Sequence, residues 1–190
     1  MSQSTPDKVR WTTADLALFP DNGTRYEIIE GNLLVTRAPD WRHQKASTRM
    51  STALDTWAFA TGLGEAVQAP GLVFTDADNV IPDVVWVSRE RLAVLLDEAG
   101  HLTGAPELVI EVLSPGNDNE RRDRELKLKL YSERGVQEYW IIDWRKQQVE
   151  VYRREQTQTL LRLMHTLFAQ DQLTSPLLPG FVYQLSQLFR

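Results

Sequence analysis

The tightest constraint on this chain is a set of three segments too apolar to lie at a surface. VVWV at 84–87, LVIEVL at 108–113 and YWIID at 139–143 consist almost wholly of β-branched, aromatic and aliphatic residues. Short runs of this kind, with no polar alternation, are strands covered on both faces, so helices must flank the sheet they form. The intervening segments supply those helices. Residues 40–61 place Ala46, Met50, Leu54, Trp57 and Ala58 at helical spacing and stop at Gly62. Ser88 is positioned to cap a helix through Leu96. A charged helix is expected over 119–134, after Pro115-Gly116-Asn117 and closed by Gly135.

The remaining chain reads as hairpins and edges. Tyr26, Ile28, Leu33 and Val35 flank Glu30-Gly31-Asn32, an N-terminal β-hairpin with a tight turn. A strand pair is expected over 65–69 and 72–75, with a turn at 76–79. Residues 147–153 should pair with the preceding strand across Arg145-Lys146. A strand over 159–168 and a short helix over 184–189 end the chain. With 190 residues, no internal repeat and no linker, one α/β domain over 1–190 is expected, with a polar extension at 1–24 and a core at about 25–183.

Composition removes several kinds of chemistry. The chain has no cysteine, which excludes disulfides, thiolate zinc sites, iron–sulfur clusters and thiol nucleophiles. Its three histidines, His43, His101 and His165, are too scattered to suggest a His-rich zinc site. The net charge of -5 argues against coating nucleic acid by bulk charge, so any such contact needs local basic clusters. No apolar leader core and no membrane-length apolar run is present, so a soluble, cytoplasmic protein without membrane contact is expected.

Two carboxylates interrupt the buried strands. Asp83 opens DVVWV, and Glu111 stands inside LVIEVL. An unpaired carboxylate in a β-core costs several kcal/mol, so each must be ion-paired, hydrogen-bonded or metal-bound. Paired oxygen donors suit Mg²⁺ or Mn²⁺, with the Val112 carbonyl as a further oxygen. On the following helix, Asp123, Lys127 and Tyr131 form one polar stripe, while Lys129 lies about 200° away from Lys127. A metal between carboxylates and an adjacent lysine together suit phosphodiester hydrolysis. Arg121, Arg122 and Arg124 are then placed to hold flanking phosphates. A plainer reading remains beside this one. Asp83 is a turn or cap residue, Glu111 a core carboxylate satisfied by Lys127 or an arginine, and RRDREL a solvated helix face.

In this order, RYEIIEGNLLV, RHQ, PDVVWVS, ELVIEVLSP, RDRELKLKLYSERGVQEYWIIDW and PLLPG resemble the Uma-type endonuclease family. That family belongs to the restriction-endonuclease-like, PD-(D/E)XK superfamily, and the resemblance runs from about Tyr26 to Phe181. It implies a restriction-endonuclease-like α/β core, a central mixed β-sheet flanked by helices. It also implies Asp83 and Glu111 as metal ligands and catalytic acids. The superfamily lysine two residues after the second acid is absent, because Leu113 stands there. The family block KLxLY assigns that role to Lys127. Glu27 matches a family block as a third acid or a partner of the ligands, or is a hairpin residue facing solvent or an arginine. His43 would contact phosphate or carry a proton, or is an exposed polar cap, with Arg42 and Lys45 beside it as phosphate contacts. Tyr139, Trp140 and Trp144 read as core or interface, not as base-stacking platforms.

The expected function is a Mg²⁺-dependent (or Mn²⁺-dependent) endonuclease acting on nucleic acid, DNA before RNA, working as a homodimer. The alternative is a non-catalytic nucleic-acid-binding or regulatory module that keeps the fold, motivated by Leu113.

Overall fold

A computed structural model describes residues 9–38, 40–155 and 158–190. The first eight residues of the expected polar extension lie outside the described part. The rest of that extension forms a short 3-10 helix, Thr13–Leu18, tied to the hairpin by the Trp11 N–H donating to the Gly31 carbonyl at 2.8 Å. Phe19 stacks on Tyr26 and meets Trp11 at a tilt, which explains how a polar segment stays docked.

The hairpin is β1 (Arg25–Ile29) and β2 (Asn32–Thr36), turning through Glu30 and Gly31, both with positive φ. Helix α1 (Trp41–Thr61) follows, capped by the Asp40 carboxylate, which accepts from the Arg42 and His43 N–H groups. Its end is set by Gly62 in the left-handed region. Next come β3 (Gly64–Gln68), β4 (Leu72–Thr75), β5 (Asp78–Val80) and β6 (Val84–Ser88). Ser88 caps α2 (Arg89–Leu95), its Oγ accepting from the Arg91 N–H. Then follow β7 (Leu108–Val112), a charged helix, β8 (Glu138–Asp143), β9 (Gln148–Arg154) and β10 (Leu161–Phe168). The two-residue strands β11 (Gln172–Leu173) and β12 (Tyr183–Gln184) precede the last short helix, Leu185–Leu188.

The central sheet has six strands in the order β10-β9-β8-β7-β6-β3. All neighbours are antiparallel except β7 and β8, which are parallel and therefore need the charged helix as their crossover. That makes the sheet mixed, as the family resemblance implied. One face packs Leu108, Ile110, Trp140 and Ile142 against Met50, Leu54 and Ala58 of α1 and against Leu178 and Phe181. The other face packs Val85, Val109, Tyr139 and Ile141 against Leu130, Tyr131 and Val136. The β-branched runs are thus covered twice, which is why they lack alternation. No helix among the described residues is long and apolar enough to cross a membrane.

Three local expectations change. The segments 65–69 and 72–75 are strands but not partners. β3 joins β6 in the large sheet, whereas β4 joins β5 in a four-stranded sheet ordered β2-β1-β5-β4. Ala69, with φ of 52°, and Pro70-Gly71 turn the chain from one sheet to the other. The turn expected at 76–79 narrows to Asp76-Ala77, since Asp78 already pairs with Thr75. The crossover helix is not regular: α3 (Asn117–Arg121) passes through a π-turn at Arg122–Lys127 into α4 (Leu128–Arg134).

Candidate active site

The two sheets meet where the strands bearing the carboxylates end. Val84 pairs with Ile110, so the next antiparallel step sets Asp83 beside Glu111. Asp83 is fixed there by the Val112 N–H, which donates to its Oδ2 at 2.8 Å. Glu111 shares the sheet face of Val109, so its side chain points toward the crossover helix. There Lys127 Nζ and Tyr131 Oη both donate to Glu111 Oε1, each at 2.8 Å. The small sheet contributes from the other side. Glu27 of β1 accepts from the Ile81 N–H and lies 2.9 Å from Lys127 Nζ. Arg25, two positions earlier on the same strand face, donates to Asp83 Oδ1 at 3.1 Å. From α1, His43 Nε2 reaches Asp83 Oδ2 at 3.1 Å. Arg25, Glu27, His43, Asp83, Glu111 and Lys127 line a cavity of about 100 Å³, together with Val112, Ser114 and Arg122.

The charges in this cavity are strongly coupled. Burial pushes the Asp83 carboxyl up, but His43, Arg25 and the Val112 N–H outweigh it and hold Asp83 well below the usual carboxylate range. Glu27 likewise ends below its ordinary value despite burial, because Lys127 and the Ile81 N–H favour its anion. Glu111 goes the other way. Burial, with Asp83, Asp123 and Glu27 nearby, pushes it up to about 8 although Lys127 opposes the rise. Burial would lower Lys127, yet Glu111, Glu27 and Asp123 hold its ammonium above the ordinary value. The His43 imidazole is also raised: burial opposes, and the hydrogen bond and charge of Asp83 prevail. Asp123 is buried against Arg122, and its backbone carbonyl accepts from the Tyr139 hydroxyl at 3.0 Å.

A divalent cation fits this donor set in one particular way. Among the described residues, no group of three or more His, Asp or Glu side chains is arranged to hold a metal alone. The hydrogen bonds and ion pairs of Glu111 all fall on Oε1, which leaves Oε2 unclaimed by protein among the described residues. Four buried carboxylates, Glu27, Asp83, Glu111 and Asp123, gather here with Arg25, Arg122, Lys127 and the His43 imidazole. Hard oxygen donors, with one carboxylate raised by burial and by its acidic neighbours, suit Mg²⁺ or Mn²⁺. Such ions are commonly held by one or two carboxylates, with water and substrate phosphate completing the shell.

Of the residues singled out in the sequence, Asp83, Glu111, Lys127, Glu27, His43 and Arg122 come together here. Lys129 does not: it is exposed and pairs with Glu30 and Glu133. Glu27 faces Lys127 in the interior, not solvent, and His43 is buried on Asp83, not an exposed cap. Arg121 and Arg124 leave the cavity, Arg121 pairing with Glu125 and Arg124 with Glu150. Arg42 and Lys45 line a separate cleft on the outer side of α1. Arg25 was not singled out by the sequence. The pattern R-x-E on one strand face, just ahead of a hairpin turn, is the signal that would have found it.

A solved structure described as "a putative nuclease belonging to DUF820", from Anabaena variabilis ATCC 29413, superposes with a TM-score of 0.72. It covers 94% of this chain and 97% of its own, at 20% identity, and so shows the fold alone. Among curated proteins nothing matches. The family model described as "Putative restriction endonuclease", Uma2, matches residues 13–186. With nearly the whole chain matched, and with the carboxylates of its PD and EVLSP blocks gathered at one cavity, the chain belongs to the Uma2 family.

Proposed function

We propose that the protein is a Mg²⁺-dependent endonuclease, with Mn²⁺ as a substitute, that hydrolyses phosphodiester bonds in DNA. The observation that carries this reading is the cavity itself: Asp83 and Glu111 side by side on adjacent strand ends, with Lys127 held 2.8 Å from Glu111. Asp83 and Glu111 would hold the cation, Glu111 through its unclaimed Oε2. When bound, that cation supplies Lewis-acid polarisation of the phosphoryl oxygen.

The chain's own residues do the rest. Lys127 is locked in its charged form by three acids and sets a fixed positive charge where negative charge develops on the phosphorane-like oxygens. Glu27 holds Lys127 from the side opposite Glu111 and keeps the ammonium from swinging away. Arg25 and His43 fix both oxygens of Asp83, so the ligand arrives oriented. Arg122 reaches the cavity wall, where it can hold a neighbouring phosphate. Water forms a bond to phosphorus as the bond from phosphorus to the leaving sugar oxygen breaks, and the proton that the water loses balances the one that the leaving oxygen gains.

The test is cleavage of plasmid and oligonucleotide in Mg²⁺, Mn²⁺ and EDTA, by the wild type, Asp83→Ala with Glu111→Ala, and Lys127→Ala. Metal-dependent cleavage lost in both variants supports the reading. Calorimetry showing no wild-type metal binding, even with DNA present, refutes it. A second reading, a non-catalytic nucleic-acid-binding module, draws on one feature: Lys127 already neutralises Glu27 and Glu111 as a structural ion pair would. Tight DNA binding without cleavage in any metal would favour it.

A further inference from the structure

The first turn of α1 looks two ways. Its inner side sends His43 to Asp83, and its outer side sends Trp41, Arg42 and Lys45 into a cleft of about 370 Å³. The opposite wall of that cleft comes from the turn after β8, with Trp144 and Arg145. We propose that this cleft binds single-stranded nucleic acid, with Trp41 stacking on a base and Arg42 and Lys45 taking the flanking phosphates. The proposal rests on the nucleic-acid substrate above and adds to it the form in which the strand is held.

Three observations carry it. The Trp41 side chain is 82% exposed, although an indole gains more from burial than almost any other residue. Next, Arg42 and Lys45 have no carboxylate partner among the described residues. Of the other basic residues lining the cleft, Arg145 pairs with Glu120 and Asp143, whereas Arg190 has no carboxylate partner among the described residues. Arg42 is instead held over the Trp144 ring, 5.4 Å from its centroid, which orients the guanidinium without neutralising it. In a chain of net charge -5, cations without carboxylate partners beside an exposed aromatic form a local exception. Finally, the first turn of α1 lines both the cleft, through Trp41, Arg42 and Lys45, and the Asp83 cavity, through His43, and a helix with its side chains is roughly 10–12 Å across. A strand anchored outside can therefore continue into the cavity.

The choice of single strand follows from the flat indole. Base faces inside a duplex are covered by their neighbours, so only an unstacked base can lie on Trp41. Duplex DNA would meet the cations but leave the ring unused.

The test is fluorescence anisotropy with a labelled oligothymidylate of about 12 nucleotides, within the usual span of a single-strand site, and a duplex of equal length. EDTA is present throughout, so cleavage plays no part. Wild type should bind the single strand more tightly than the duplex. Trp41→Ala should weaken single-strand binding about tenfold or more, Trp41→Phe should restore most of it, and duplex binding should move little. Arg42→Gln with Lys45→Gln should lower the salt slope by roughly 0.7 per cation removed. Equal single-strand affinity in Trp41→Ala overturns the proposal, as does an equal loss for both forms. A dimer by sedimentation that Trp41→Ala dissociates also overturns it, and assigns the face to a second copy. Because Asp83→Ala with Glu111→Ala should still bind the strand, failure of cleavage and failure of this subsite are told apart.

Discussion

Lys127 Nζ lies between two carboxylates that come from different sheets, 2.8 Å from Oε1 of Glu111 and 2.9 Å from Oε1 of Glu27. The large sheet supplies one acid, the small sheet the other, and the crossover helix supplies the cation. The ion pair therefore ties together three parts of the fold at the point where chemistry is proposed. Breaking one partner of a fully buried pair leaves an uncompensated charge, which costs about 3–5 kcal/mol. Lys127→Met should lose about that much stability in urea denaturation, and a hundredfold or more of cleavage rate. Lys127→Arg should recover part of the stability but little of the rate, because the planar guanidinium does not place its charge at the same point.

Metal binding should stabilise the fold. At a concentration about 100 times its dissociation constant, a ligand adds about 2.7 kcal/mol. For a chain of this size that raises the melting temperature by roughly 5–10 °C. Thermal scans in Mg²⁺ and Mn²⁺ should show the shift for wild type and none for Asp83→Asn with Glu111→Gln.

The Glu111 carboxyl, pushed up to about 8 by burial and its acidic neighbours, sets a pH dependence of known sign. Its value in the fold is above that in the unfolded chain. Its protonated form therefore favours the fold below the ordinary carboxylate range, and this contribution is lost as pH rises to about 8. Without metal, wild type should lose stability between pH 5 and 8 relative to Glu111→Gln. Since a cation requires the anion, metal affinity should rise over the upper part of the same window and level off above it. Urea melts and calorimetry across pH check both.

Asp83 carries the opposite sign. His43, Arg25 and the Val112 N–H hold it below the ordinary range, so its contribution is present at neutral pH and is lost on acidification. Arg25→Met should remove the partner of Oδ1 and weaken metal binding about tenfold or more, consistent with other groups that orient a ligand. The fold should remain intact by circular dichroism.

Much of this arrangement can be read directly from residues. Near-continuous apolar runs mark β6, β7 and β8 as doubly covered, and the four-residue spacing of Asp123, Lys127 and Tyr131 separates Lys127 from Lys129. What cannot be read is which strands pair across sheets. β3 and β4 look like a hairpin because only Ala69, Pro70 and Gly71 separate them, yet each has a better buried partner elsewhere. The same limit hides Arg25, whose link to Asp83 spans 58 residues. Nor does local sequence say that Arg124 will be neutralised by Glu150, or that Arg42 and Lys45 will face away from the Asp83 cavity.

The π-turn at Arg122–Lys127 bears on how this protein can be altered. A turn bonded five residues ahead takes up one residue more than a regular helix, and positions four apart come closer to alignment. Of the two steps that link Asp123, Lys127 and Tyr131, only Asp123 to Lys127 lies within it; Lys127 to Tyr131 runs in regular helix, with its drift of about 40°. Helix-strengthening substitutions in this stretch, the usual first choice of a stabilisation campaign, would tighten the turn and rotate Lys127 away from Glu111 and Glu27. Removing one residue would do the same more abruptly, swinging one half of the crossover by about 100° against the other. A more regular helix here should therefore weaken the fold through the broken Lys127 pairs, as well as displace the charge that the proposed cleavage needs.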